Sequence, residues 1–156
     1  MAAFTNEVIR RITAALSLDA DTIAEVYAKE DYPITDGRIA EILEDRGEPC
    51  SYEELGVFLD GLITLKRGPS PKKSDEETAV DLTNNLILKK LRIALELKEM
   101  ETEIIFGLGD APLGKQELKS LFHKEDHKNF KVCPDALLLA FLEGLDEFYY
   151  SGDEEA

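Results

Sequence analysis

Tryptophan is absent from the chain, histidine and cysteine occur twice each, and no apolar run approaches the roughly 18 residues of a membrane-spanning helix. The missing run argues against the membrane-spanning class. Cys50 and Cys133 lie far apart and form no metal-type pair. Free thiols in a cytoplasmic protein are the simplest reading. The opening residues, MAAFTNEVIRR, show no basic stretch followed by an apolar one, so no secretory signal is expected. There is no Cys-x-x-Cys, His-Glu-x-x-His or Gly-x-Ser-x-Gly, and no cofactor or metal is expected. Gly107-Leu-Gly109 is too short for a phosphate loop and follows a helix rather than a strand, so it reads as a C-cap and turn.

Positive charge is also scarce. Lys and Arg number 18 against 33 Asp and Glu, giving a formal net charge of −15. Residues 5–68 carry −7, 69–82 carry −2, 83–150 carry −3 and 151–156 carry −3. Such a polyanion repels nucleic-acid phosphate at long range. A general nucleic-acid binder is disfavoured, although a local basic patch is not.

What is present is helix-forming sequence, rich in Leu, Ala, Glu, Lys and Ile, with only short β-branched runs. The chain is also a duplication. Asn6, Arg10-Arg11, Ala15, Leu16 and Leu18 align with Asn85, Lys89-Lys90, Ala94, Leu95 and Leu97 at an offset of 79. The same offset pairs Val26 with Ile105, Tyr27 with Phe106, Pro33 with Pro112, Ile39 with Leu118 and Leu43 with Phe122. The offset then becomes 83, pairing Cys50 with Cys133, Phe58 with Phe141 and Leu59-Asp-Gly-Leu62 with Leu142-Glu-Gly-Leu145. Four extra residues in the second copy are therefore expected within 123–132.

Each copy reads as four helices. In the first copy Val8, Ile12, Ala15 and Leu16 form one stripe. Asp19 can cap a second helix running to about residue 29, Thr35 a third, and Ser51-Tyr-Glu-Glu54 is a capping box opening a fourth. Pro134 is expected just inside the start of the matching helix. Gly61 and Gly144 sit inside the fourth helices, where glycine costs about 1 kcal/mol relative to alanine. Their matched placement predicts a close helix neighbour, with a helix of the other copy as one candidate. A unit of half this length would bury only about 60% of its unfolded surface, against roughly 68–70% for the whole. The expected architecture is all-α: two tandem, pseudo-symmetric four-helix repeats packed into one helical domain. The repeats span 4–68 and 83–150, with a Pro- and Ser-rich linker at 69–82 and an acidic disordered tail at 151–156.

Asn84-Asn-Leu-Ile-Leu-Lys-Lys-Leu-Arg-Ile-Ala-Leu95 and His123-Lys-Glu-Asp-His-Lys-Asn-Phe-Lys-Val-Cys-Pro-Asp135 give the chain a family look. It resembles the YehS-like bacterial family (DUF1456), a tandem domain of unknown function. The resemblance covers roughly residues 4–148 and is most specific in the second copy. The first copy departs from it, with Glu44-Asp-Arg-Gly-Glu-Pro49 in place of the His-rich segment. The resemblance implies a small, mostly helical cytoplasmic protein and carries no reaction with it.

Chemistry-bearing side chains gather in two places. His123 and His127, four apart, stand near Glu125, Asp126, Lys128, Asn129 and Cys133. On a helix the two imidazoles would share a face and could take a metal, but such sites need three or four convergent ligands. The plainer account is a polar loop whose side chains cap helix ends. Cys133, at a helix start, could have its thiol pKa lowered by the helix dipole; the plainer account is a small buried residue at a junction. Secondly, Asn84, Lys89, Lys90 and Arg92, with Lys115, Lys119, Lys124, Lys128 and Lys131, could form a basic face for an anion, RNA or acidic partner. Interspersed acids make an ordinary solvated surface the plainer account. Asn84 and Asn85 read as helix-start residues, and Phe148, Tyr149 and Tyr150 as an aromatic cluster closing the core. No catalytic constellation emerges. The first expectation is a non-enzymatic interaction or regulatory module with a protein partner. The alternatives are nucleic-acid or anion binding through the second copy, and a metal- or thiol-dependent enzyme centred on His123, His127 and Cys133.

Overall fold

The computed structural model describes residues 3–68 and 82–155, with side chains through residue 149. Eight helices and no strand occur among the described residues. The first copy holds α1 (Phe4–Ala15), α2 (Ala20–Ala28), α3 (Asp36–Leu43) and α4 (Tyr52–Arg67). The second holds α5 (Asn84–Leu95), α6 (Glu99–Leu108), α7 (Lys115–Phe122) and α8 (Asp135–Glu155). The expected linker lies outside the described residues except for Leu82. α8 continues to Glu155, into the segment that the sequence assigns to the tail.

The helix starts follow local chemistry. Asp19 accepts from the Thr22 N–H at 2.8 Å, Thr35 from Arg38 at 3.0 Å, and Ser51 and Glu54 close their capping box at 3.0 and 2.9 Å. In the second copy a third-position glutamate does this work: Glu101 accepts from the Lys98 N–H and Glu117 from that of Gly114. Pro134 stands one residue before α8, which opens at Asp135, rather than inside it. The helix ends repeat as well. Ser17 and Glu96, equivalent by sequence, both adopt left-handed backbone (φ 55° and 54°), and so do Asp31 and Asp110 (φ 55° and 61°). None of these four is a glycine, yet the turn demands the conformation in both copies.

The packing is reciprocal. Within each copy the second helix lies on the fourth, α2 on α4 and α6 on α8, and a tilted aromatic pair fills each seam. Those pairs are Tyr27–Phe58 at 6.0 Å and Phe106–Phe141 at 4.9 Å. Between copies the first helix of each lies on the fourth helix of the other: α1 on α8, and α5 on α4. One continuous apolar core results. It contains Val8, Ile12, Leu55, Phe58 and Leu62 from the first copy and Leu88, Leu91, Leu138, Phe141 and Leu145 from the second, all fully buried. Each such side chain contributes about 1.5–3 kcal/mol, and neither copy can collect that energy alone because part of its greasy face is covered by the other.

The glycines report the closest approaches. A Cβ on Gly61 would run into the backbone carbonyl of Val26, and one on Gly144 into that of Ile105. The neighbour is therefore the second helix of the same copy, and the candidate neighbour from the other copy is overturned. Gly109 caps α6 and packs as tightly against Ala140 of α8. Polar ties reinforce the seam between copies. Lys90 on α5 meets Asp60 on α4 at 2.5 Å, and Arg67 donates to the Ile93 carbonyl at 3.1 Å.

Candidate functional site

Twelve residues (123–134) join α7 to α8, against eight (44–51) between α3 and α4, which locates the four-residue insertion where the alignment put it. The insertion is a loop of turns, not a helix. His127 N–H donates to Lys124 O, Phe130 N–H to His127 O, and Lys131 N–H to Ser120 O. The two imidazoles stack face to face, ring centroids 3.9 Å apart and planes 8° from parallel. Stacked rings direct their nitrogens outward in parallel planes, whereas one metal needs lone pairs converging on a point. His127 Nδ1 is already engaged, accepting from the Asn129 N–H at 3.0 Å. Asp126 and Lys128 are exposed. Among the described residues no three or more His, Cys, Asp or Glu side chains gather as ligands.

The asparagines are not helix caps. Thr83 caps α5, its hydroxyl accepting from Leu86 N–H at 3.2 Å. Asn85 is buried and clamps the insertion: its amide donates to Leu121 O (2.9 Å) and Lys131 O (2.8 Å), and its Oδ1 accepts from Cys133 N–H (2.9 Å). Asn6 holds Cys50 in the same way, at 2.8 Å, and donates to the Asp45 carboxylate at 2.7 Å. That hydrogen bond holds the Asp45 carboxyl below its ordinary range. The preceding helix position is also matched. Thr5 donates to Cys50 O at 2.6 Å and Asn84 to Cys133 O at 3.0 Å, with a further bond from Asn84 to Asp135. Asn84 is thus spent within the fold.

The cysteine thiols are buried at these junctions. Burial pushes the Cys133 thiol up to about 12, with the Asp135 charge adding to it, and burial pushes Cys50 up to about 12 as well. Both thiols are small buried residues at helix junctions, the plainer of the two accounts, and the cost of burying a thiolate exceeds what half a unit charge at a helix end returns.

Two of the basic residues are engaged within the fold. Lys90 is paired with Asp60, and Arg92 lies 4.4 Å over the Phe122 ring with its Nε 3.4 Å from Leu97 O. Lys89, Lys115, Lys119, Lys124, Lys128 and Lys131 are exposed. Phe148 and Tyr149 pack edge to face at 5.5 Å against the core, in line with core closure, whereas the side chain of Tyr150 lies outside the described set.

Two features escaped sequence reasoning. Arg38 is a hub in the first copy: its guanidinium grips both oxygens of Glu54 (2.8 and 2.7 Å), Glu41, and the carbonyls of Glu48 and Pro49. Its counterpart is Glu117, so the alignment at an offset of 79 could have flagged the charge reversal. The second feature is a set of exposed apolar side chains. Ile93 (40% exposed), Met100 (72%), Ile104 (47%) and Val132 (73%) stand out in the second copy, and Tyr52 alone in the first. Their first-copy counterparts are Ala14, Asp21, Glu25 and Pro49. Comparing exposed positions across the two copies would have exposed this divergence.

No described helix is long and apolar enough to cross a membrane. Comparison with known proteins adds the lineage. The family model described as protein of unknown function (DUF1456) matches residues 5–68 and again 84–149. The uncharacterized protein YehS of Escherichia coli (strain K12) is 31% identical over 145 residues, spanning 90% of this chain and 93% of its own. No solved structure matches the chain. The tandem matches coincide with the two interlocked helical copies, and the chain belongs to the DUF1456 family of proteins of unknown function.

Proposed function

We propose that the protein is a non-enzymatic interaction module that receives a protein partner on the surface of its second copy. The observation that carries this reading is the divergence of the two copies outside their common core. Matched core positions stay apolar, whereas the α2 positions Asp21 and Glu25 are Met100 and Ile104 on α6. Met100 and Ile104 lie one helical turn apart on the same face, and both are exposed. Exposed apolar residues gathered on one helix face mark interaction surfaces in soluble proteins, while singly scattered ones do not. The polar groups that could have done chemistry support the reading from the other side. Asn6 and Asn85 clamp loops, Lys90 ties the copies together, and both thiols are sealed.

The test is a photo-crosslinking side chain placed at position 104 in cells, with position 25 as the matched control. A discrete protein adduct at 104, absent at 25 and lost on Met100→Glu, is the expected result. Equal adducts at both positions, or none at 104, would refute the reading.

A further inference from the structure

The loop inserted in the second copy holds both histidines of the chain. Its turn is drawn around His127. The backbone N–H of His127 donates to Lys124 O, its carbonyl accepts from Phe130 N–H, and its side-chain Nδ1 accepts from Asn129 N–H at 3.0 Å. A ring nitrogen that accepts a hydrogen bond carries no proton, so this turn requires a neutral imidazole with its hydrogen on Nε2. The stack on His123 is the second constraint. At a centroid separation of 3.9 Å, one cationic ring is tolerated, whereas two like charges repel. The surroundings offer no relief. Lys119 stands one turn before His123 on α7, Arg92 of α5 lies over the neighbouring Phe122 ring, and Lys124, Lys128 and Lys131 stand in the loop. The acids are Glu125 and Asp126 in the loop and Asp135 at the start of α8, itself held by Asn84. Cations outnumber carboxylates around the stack, and among the described residues no carboxylate pairs with either imidazole.

We propose that this loop is a proton-operated latch, closed while both imidazoles are neutral and released when they take protons. An imidazole ordinarily changes charge between pH 5 and 8. A proton on His127 Nδ1 turns the acceptor into a donor pointing at the Asn129 N–H, and a proton on each ring places two cations in one stack. The open loop therefore binds more protons than the closed one, and falling pH favours opening. The motion is bounded. Lys131 N–H is tied to Ser120 O, and Asn85 holds Lys131 O and the Cys133 N–H, through groups that do not titrate in this range. Residues 123–130 swing out while the core beneath them keeps its packing, which gives the surface of the second copy a neutral form and an acid form.

The full chain is followed by NMR between pH 8 and pH 5. At pH 8 the two rings should show mutual cross-relaxation, with His127 in its Nε2–H form. At pH 5 that cross-relaxation should vanish. The exchange protection of the Asn129 and Phe130 amides, each taken against the free-peptide rate at the same pH, should fall at least fivefold, while the Cys133 amide keeps its protection. His127→Asn puts an amide oxygen in the place of Nδ1, which accepts the same N–H two residues on and does not titrate; the Asn129 amide should then stay protected at both pH values. Should that variant lose the turn at pH 8, His123→Phe decides: it keeps a flat ring without a charge, and the acid loss should shrink at least twofold. Protection unchanged between pH 8 and pH 5, an undiminished loss in a variant that keeps the turn, or loss of the Cys133 amide together with the others would overturn the proposal.

Discussion

The side chain of Asn85 accepts the backbone N–H of Cys133 at 2.9 Å, joining the start of α5 to the start of α8 across 48 residues. Its amide group also satisfies one carbonyl at the end of α7 and one in the inserted loop. Asn85→Ala strands a buried donor and two acceptors, where each unsatisfied group costs about 1–3 kcal/mol. The expected loss is about 3 kcal/mol, or roughly 10 °C in Tm for a chain of this size. Asn84→Ala, at a half-buried position, should cost about 1 kcal/mol. Thermal unfolding of the two variants side by side checks the contrast.

Three glycines of α4 and α8 should respond in opposite directions to alanine. Gly61→Ala and Gly144→Ala push a methyl into a backbone carbonyl of the neighbouring helix, and overpacking of this kind costs about 3 kcal/mol. Gly56 has open space where its Cβ would be, so Gly56→Ala should stabilise by about 0.5–1 kcal/mol through helix propensity alone. Urea unfolding of the three variants gives the signs directly.

The Lys90–Asp60 pair ties the copies together at a partly exposed site, with side chains 23% and 29% accessible. A double-mutant cycle with Lys90→Met and Asp60→Asn should return a coupling of about 0.5–1 kcal/mol, shrinking in high salt. A coupling near zero at low salt would remove this pair from the seam.

The thiols set a pH dependence. Cys50 and Cys133 have folded-state pKa values pushed up to about 12, from an ordinary value of 9.0. Between these values the unfolded chain has lost protons that the folded chain keeps, so stability falls as pH rises. Each thiol's contribution is fully present below pH 9 and disappears towards pH 12. Comparing the alkaline limb with that of Cys50→Ala/Cys133→Ala should show a shallower fall in the variant. The native thiols should also resist alkylation at pH 8 until the chain opens.

Most of the fold is legible in the sequence because the same solution is written twice. Asp19, Thr35 and Ser51 announce their helices through short-range capping chemistry, and the offset change from 79 to 83 announces the inserted loop. The partner of Gly61 was not legible, since a glycine signals close approach without naming the helix that approaches. Asn85 reads as a cap from its position near a helix start, yet its partners lie 36 to 48 residues away. His123 and His127 satisfy a helical metal spacing only on a helix, and the insertion is not one. The apolar surface of α6 was missed because Met100 and Ile104 look like core when read alone, and only their alignment with Asp21 and Glu25 marks the positions as surface.

The central claim is that α1 leans on α8 and α5 on α4, so neither copy keeps its core without the other. Because the chain has no tryptophan, single reporters can be placed in each copy, Tyr32→Trp in the first and Phe148→Trp in the second. Urea unfolding followed by each fluorophore and by circular dichroism should give superimposable curves with one midpoint. Two well-separated midpoints, one for each reporter, would mean that the copies fold independently and would contradict the interlocked core.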